Sequence, residues 1–189
     1  MNMRVPILQT DRLIVRPFVM DDLFAIHRIL TDAFGGETTL DERREWLQWT
    51  VLNYEQLARL NQPPYGDRSV VLTQTGEVIG ACGYVPRLDA HGQLPSLAIA
   101  SASGLTTTEF AMFWAIAPEQ QRCGYATEAA RAMLDHAFNA LCLHRVIATT
   151  DYDNFASQAV MRKLGMRLER NPRSEPPWLQ VVGVRENVL

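Results

Sequence analysis

Cysteine is scarce in this chain: Cys82, Cys123 and Cys142 are 3 of its 189 residues, widely spaced and without a Cys-x-x-Cys pair. That pattern fits neither a disulfide framework nor a thiolate zinc site. The four histidines, His27, His91, His136 and His144, show no metal-ligand spacing, so no metal is expected. Long apolar runs are missing as well. Nothing approaches the roughly 20 residues that span a bilayer, and the opening MNMRVPILQTDRL lacks the apolar core of a secretory signal. The sequence therefore predicts a cytoplasmic protein with no membrane partner. Nor is there an excess of one charge: 18 Lys and Arg against 21 Asp and Glu leave a net charge of −3. Such a chain has no broad attraction for phosphate backbones, and nucleic acid is not an expected partner. There is no P-loop lysine pattern and no G-x-G-x-x-G after the first strand pattern, which weakens mononucleotide and dinucleotide readings.

What is present is 47% hydrophobic residues in a length suited to one globular domain, residues 1–189, without repeats or low-complexity linkers. Folding at this size buries roughly 70% of the unfolded chain's surface, enough for a sizeable core. TDRLIVRPF (10–18) alternates apolar and polar residues and predicts a half-buried strand ended by Pro17. Asp21 and Asp22 then offer caps for a helix carrying Leu23, Ile26 and Leu30. Thr39 and Glu42 form a capping-box pattern for a second helix with an apolar face of Leu47, Val51, Tyr54 and Leu57. SVVLT and VIGACGYV flank QTGE, two strands and a glycine turn, with Gly80 and Gly83 marking a bulge or a close backbone approach. Residues 86–108 have no sustained period and read as a long loop, functional or disordered. After it come a strand at 109–116, a helix at 124–140, a strand at 145–150, a helix at 154–164 closed by Gly165, and a strand at 178–184. Alternation of this kind predicts an α/β layered sheet.

The stretch PEQQRCGYATEAARAMLDHAF (118–138) places a proline-marked turn and small residues at the start of a long helix. A helix N-terminus offers unpaired N–H groups and the positive end of the macrodipole, the makings of a phosphate or pyrophosphate site. Gly124 permits geometry a side chain would obstruct, Ala126 keeps the first turn thin, and Arg122 adds a cation. Cys123 lies in the same loop, where exposure and nearby amides favour reactivity. On these grounds alone, an ordinary strand-to-helix turn explains the stretch better than a ligand site does.

QRCGYA (121–126) resembles the Q/R-x-x-G-x-G/A acyl-CoA motif of the GNAT superfamily of N-acetyltransferases. AIAPE, YATEAAR, TDRLIVRPF and NFASQAVMRKLGM extend the resemblance, in the family's order, over residues 10–166, and look like the branch containing ribosomal-protein N-terminal acetyltransferases. The resemblance implies a single-domain α/β GNAT fold whose mixed central sheet, flanked by helices, splays between two strands to admit acetyl-CoA. The backbone of Trp114 and Ile116 would then take the pantetheine arm. Amides from Gln121, Arg122, Cys123, Gly124, Tyr125, Ala126 and Thr127 would surround the pyrophosphate, and the Asn154 side chain would contact the pantetheine.

Two departures from the pattern matter. Arg122 stands where this branch often has glycine, and Met161 where many members have a tyrosine that protonates the leaving thiolate. Ser157 matches a serine frequent in the branch and is the alternative donor, unless it bonds its own helix backbone. A thiol of pKa about 8.5 is in any case a tolerable leaving group. Glu109 and Glu175 are the candidates to accept the amine's proton, and Asp151 and Asp153 are expected to order the turn before Asn154. Phe34, Trp46, Trp49 and Tyr84 are the implied acceptor-pocket aromatics. The implied partners are acetyl-CoA and a primary amine, on a peptide or protein N-terminus or a small molecule, with the chain a monomer or homodimer. The competing expectation, raised by Met161, is a catalytically weak CoA-binding regulatory module.

Overall fold

A computed structural model describes residues 5–98 and 106–187. In chain order the elements are β1 (Leu8–Gln9), β2 (Leu13–Pro17), α1 (Leu23–Phe34), α2 (Leu40–Arg59), β3 (Gly66–Leu72), β4 (Val78–Asp89), β5 (Thr107–Ile116), α3 (Tyr125–Asn139), β6 (Arg145–Thr150), α4 (Phe155–Lys163), β7 (Arg167–Arg170) and β8 (Val181–Glu186). They form two compact units. The first comprises the chain up to Tyr84 with Trp114–Met133, the second Val85–Phe113 with the chain from Leu134 onward. Strands of mixed sense and four helices among the described residues confirm the α/β class. No helix among the described residues is long and apolar enough to cross a membrane.

In the first unit the strands run β1-β2-β3-β4, antiparallel throughout. Alternation in β2 sends Leu13 and Val15 inward, opposite Leu72 and Val70. α1 buries Leu23, Ile26, Ile29 and Leu30, the spacing of one helix face. Thr39 and Glu42 make the expected capping box: Thr39 Oγ1 accepts from Glu42 N at 3.2 Å and Thr39 N donates to Glu42 Oε2 at 2.7 Å. Asp22, by contrast, does not cap α1. A 3-10 turn at Met20–Asp22 turns its carboxylate back to accept from Val19 N at 3.0 Å and from both Arg16 terminal nitrogens at 2.8 Å. The bidentate pair outcompetes a single backbone donor.

The β3–β4 hairpin turns at Gly76, whose φ of 74° suits glycine. Its register slips by one residue at Val70/Val71, so Ile79 forms a bulge. Beside it, a Cβ on Gly80 would overlap the Ala115 carbonyl oxygen and stand 2.6 Å from Ile116 Cδ1. Both the bulge and the close approach expected at this glycine are therefore realised.

In the second unit the order is β5-β6-β8-β7. β5 and β6 run parallel and are in register at a single pair, Ala111↔Ile147, whereas β6–β8 and β8–β7 are antiparallel. Leu94, Leu97, Ile147, Leu179, Val182 and Val184 form the core. α4 ends at Gly165, with φ of 74°.

Two expectations are corrected here and one omission is filled. Residues 86–108 are not a plain loop: β4 continues to Asp89, a 3-10 turn follows at His91–Gln93, and β5 begins at Thr107, while 99–105 lie outside the described residues. The polar end of β4 is held by an Arg87–Asp89 ion pair at 3.0 Å and by Trp178 Nε1 donating to Asp89 at 2.8 Å, which apolar periodicity does not reveal. β7, of sequence RLER, went unpredicted for the same reason. The last strand starts at Val181, because Trp178 stands in the turn before it.

Candidate functional site

The first unit carries the stretch from the end of β5 into α3. Ala117 N donates to Ile79 O at 2.8 Å, and Pro118 opens a 3-10 turn at Pro118–Gln120. Gln121 Nε2 then donates to Ile116 O at 3.0 Å, occupying one of that carbonyl's two lone pairs. Trp114 is half-buried and Ile116 buried. Next come two left-handed residues around Cys123: Arg122 at φ 62° and Gly124 at φ 86°. A non-glycine residue there stores about 1–2 kcal/mol of strain, so surrounding contacts must hold it. A backbone that changes hand in this way turns successive N–H groups toward one side, the geometry of an anion nest.

The first intrahelical bond of α3 runs from Glu128 N to Gly124 O at 3.0 Å. Tyr125, Ala126 and Thr127 are thus left with N–H groups that have no acceptor within the helix. These donors, the positive helix end and the exposed Arg122 guanidinium, which has no ion pair among the described residues, suit a phosphate group. Cys123 is exposed, Cys142 likewise, and Cys82 is buried. No group of three or more metal-ligating side chains occurs among the described residues.

Residues outside the motif brace it. Glu128 accepts from Thr10 Oγ1 at 2.6 Å, Arg12 N at 3.0 Å and Arg12 Nε at 2.8 Å. The Arg12 guanidinium also donates from Nη1 to the Cys123 carbonyl at 3.0 Å and lies over the Tyr125 ring, 4.5 Å from its centroid. Burial pushes the Glu128 carboxyl up, but the hydrogen bonds from Thr10 and Arg12 and the Arg12 charge outweigh it and hold the carboxyl below its ordinary value. The hydrogen bond to Glu128 correspondingly raises the Arg12 guanidinium. A second pair, Arg28 Nη1 to Glu119 Oε1 at 2.5 Å, ties α1 to the 3-10 turn, half-exposed and hence weak. Sequence reasoning missed Thr10, Arg12 and Glu128 as a group. All three fall in stretches that carry the family resemblance, but nothing local links residues 116 positions apart.

The remaining predicted residues lie in the second unit. Asn154 Oδ1 accepts from Ser157 N at 3.0 Å and so caps α4, leaving its amide hydrogens for another acceptor. Asp151 and Asp153 order that turn through their carbonyls, which accept from Asn154 N at 3.3 Å and Phe155 N at 2.8 Å. The Ser157 hydroxyl is half-buried and makes no hydrogen bond among the described residues, so it is not consumed by its own helix. Met161 is fully buried, its Sδ 3.0 Å from where a Gly183 Cβ would stand, and acts as packing. Glu109 is buried and grips Arg145 at 3.0 and 2.5 Å. Glu175 is exposed in the turn before β8.

The aromatics divide. Tyr84 is fully buried and is core rather than a pocket wall, with burial pushing its phenol up. Trp46 packs edge-on against Phe18 at 5.7 Å, while Phe34 and Trp49 are exposed.

A family model described as the acetyltransferase (GNAT) domain matches residues 12–167. An uncharacterized N-acetyltransferase of Bacillus subtilis, YoaA, is 27% identical over 165 residues, covering 87% of this chain and 84% of that protein. YnaD of the same organism is 48% identical over 56 residues, 30% of this chain, and the aligned stretch spans only 33% of YnaD. Among solved structures, an acetyltransferase from Agrobacterium tumefaciens superposes with a TM-score of 0.71 at 25% identity, covering 98% of this chain and 97% of that one. RimL, a ribosomal L7/L12 α-N-protein acetyltransferase solved with coenzyme A, shares the fold at a TM-score of 0.65 and 15% identity, covering 96% and 98%.

Proposed function

The chain belongs to the GNAT acetyltransferase family, and from that membership we propose that it moves the acetyl group of acetyl-CoA to a primary amine, with the loop from Gln121 to Thr127 as its pyrophosphate cradle. The observation that carries this reading is the pair of left-handed residues, Arg122 and Gly124, at the N-terminus of α3. A chain that keeps a strained arginine at the mouth of a helix has a use for its charge there.

In this reading Arg122 and the N–H groups of residues 122–127 bind the diphosphate, and the backbone of Trp114 and Ile116 takes the pantetheine arm. An N–H of that strand polarises the acetyl carbonyl. The neutral amine attacks: a C–N bond forms, the C–S bond breaks, and the amine's proton passes to a carboxylate or water. Ser157, its hydroxyl free of the helix backbone, gives its proton to the departing thiolate and regains one from water. Asn154 offers its amide hydrogens to the pantetheine. Of the two candidate bases, Glu109 is held by Arg145, so Glu175, exposed and without an ion pair among the described residues, is the freer acceptor. Met161, at the tyrosine position, has no proton to give, which is why the acid role falls to Ser157 in this reading.

The test is a thermal shift with acetyl-CoA, paired with thiol release across peptide N-termini, aminoglycosides and polyamines. Stabilisation with amine-dependent thiol release supports the transferase. Stabilisation with no release by any amine favours a CoA-binding module, and no stabilisation removes the cradle.

A further inference from the structure

A carboxylate in the first turn of α3 works against a diphosphate at the same helix end, and Glu128 is such a carboxylate. Its environment answers this directly. Arg12 lies alongside Glu128 at 2.6 Å, stacks on Tyr125, and passes Gly124 so closely that a Cβ there would be 3.5 Å from Arg12 Nη2. The guanidinium therefore covers the outer side of the loop just where Gly124 and Tyr125 begin the helix.

The contact with the Cys123 carbonyl has a second consequence. The Cys123–Gly124 peptide is trans, so its C=O and N–H point in opposite directions. Drawing the carbonyl toward Arg12 aims the Gly124 N–H away from Arg12, toward the other side of the loop. One side chain thus cancels the adverse charge and orients a donor.

We propose that Arg12 is a positioning residue of the cradle, setting its affinity for a diphosphate-bearing acyl donor by neutralising Glu128 and turning the Gly124 N–H toward the ligand. The inference rests on the loop being the CoA pyrophosphate site. Glu128, in turn, is the restraint that keeps Arg12 out of the cradle and on its outer side.

Loss of Arg12 then weakens binding where loss of the Glu128 charge does not, which a structural brace does not produce. Calorimetric titration with coenzyme A compares the wild type, Arg12→Ala, Glu128→Gln and the double variant, with melting curves run alongside. Arg12→Ala should raise Kd at least tenfold, the scale on which a charge at a helix end acts on a doubly charged ligand. Glu128→Gln should leave Kd unchanged or lower it, although it breaks the same ion pair. The double variant should bind at least threefold more tightly than Arg12→Ala alone, and by a larger factor than Glu128→Gln tightens the wild type, a coupling that independent residues do not show. Arg12→Lys should recover affinity in part, since it keeps the charge and loses the fork that holds carbonyl and carboxylate together. The proposal is overturned if Arg12→Ala binds coenzyme A as the wild type does. It is equally overturned if both single variants weaken binding alike and the double variant is no better, the signature of a brace. Failure of the wild type to bind removes the pyrophosphate site itself, and the proposal with it.

Discussion

Replacing Gly80 by alanine tests how tightly β4 is set against the strand end proposed to take the pantetheine. The added Cβ would overlap the Ala115 carbonyl oxygen and lie 2.6 Å from Ile116 Cδ1. The isoleucine tip can rotate, but the carbonyl is backbone, so the 114–116 segment must move by about 1 Å to restore ordinary contact at about 3.4 Å. Overpacking of this kind costs about 1–3 kcal/mol. Against it stands the gain of up to about 1 kcal/mol that alanine brings over glycine where the backbone suits it. The net loss is about 1–2 kcal/mol, and for a chain of this length each kcal/mol moves Tm by about 2–4 °C, so a fall of about 2–8 °C is expected. Displacing Ala115 also strains the Ala117 N to Ile79 O bond at 2.8 Å, which anchors the start of the loop. The acetyl-CoA-induced rise in Tm should therefore shrink along with Tm itself. The assay is differential scanning fluorimetry of wild type and Gly80→Ala with and without acetyl-CoA. A Tm within about 1 °C of wild type with an undiminished ligand shift would refute the close approach as a constraint on the site.

Arg122→Gly should raise stability by about 1 kcal/mol, because φ of 62° is free of strain only for glycine, while weakening acetyl-CoA binding. Unchanged affinity in titration would remove Arg122 from the phosphate site. Burial pushes the Asp67 carboxyl from 3.8 up to about 6, so the folded state favours its neutral form. That contribution is full below about pH 4 and is lost as pH rises through about 6, where burying the anion costs up to about 3 kcal/mol. Asp67→Asn should accordingly leave urea midpoints almost unchanged at pH 4 and raise them at pH 8; an equal effect at both pH values would contradict the assignment. Ser157→Ala should lower kcat tenfold or more with acetyl-CoA affinity intact, and steady-state kinetics with titration separate the two. Met161→Tyr should lower Tm without raising kcat, since the side chain is fully buried against Gly183.

What was legible in the sequence was what local chemistry determines. The capping box of Thr39 and Glu42, the turn at Gly76 and the helix stop at Gly165 each follow from residues within a few positions of one another, and the glycine at position 80 marked a close approach whose partners, Ala115 and Ile116, lie far along the chain. Charged strands were not legible. RLER in β7 and the end of β4 carry little apolar alternation, and their order comes from pairing with β8 and from the Asp89 contacts to Arg87 and Trp178. Asp22 misled for a related reason: a carboxylate before a helix is a good cap until an arginine six residues upstream takes both its oxygens. In the site, the motif from Gln121 to Ala126 could be read directly, whereas its bracing could not. Glu128 reads as an ordinary first-turn glutamate, and Arg12 as a polar position in an alternating strand.

The strain at Arg122 and the charge at Glu128 are two parts of one arrangement. Alone, QRCGYATE would relax: the arginine would leave its left-handed conformation and the glutamate would oppose any diphosphate approaching the helix. The structure prevents both from outside the motif. Gln121 closes onto Ile116, Ala117 bonds to Ile79, and Arg12 holds the Cys123 carbonyl, so the loop is fixed immediately on either side of Arg122. Thr10 and Arg12 then occupy the Glu128 carboxylate. The geometry of the six motif residues therefore depends on the turn before β2, more than 100 residues upstream.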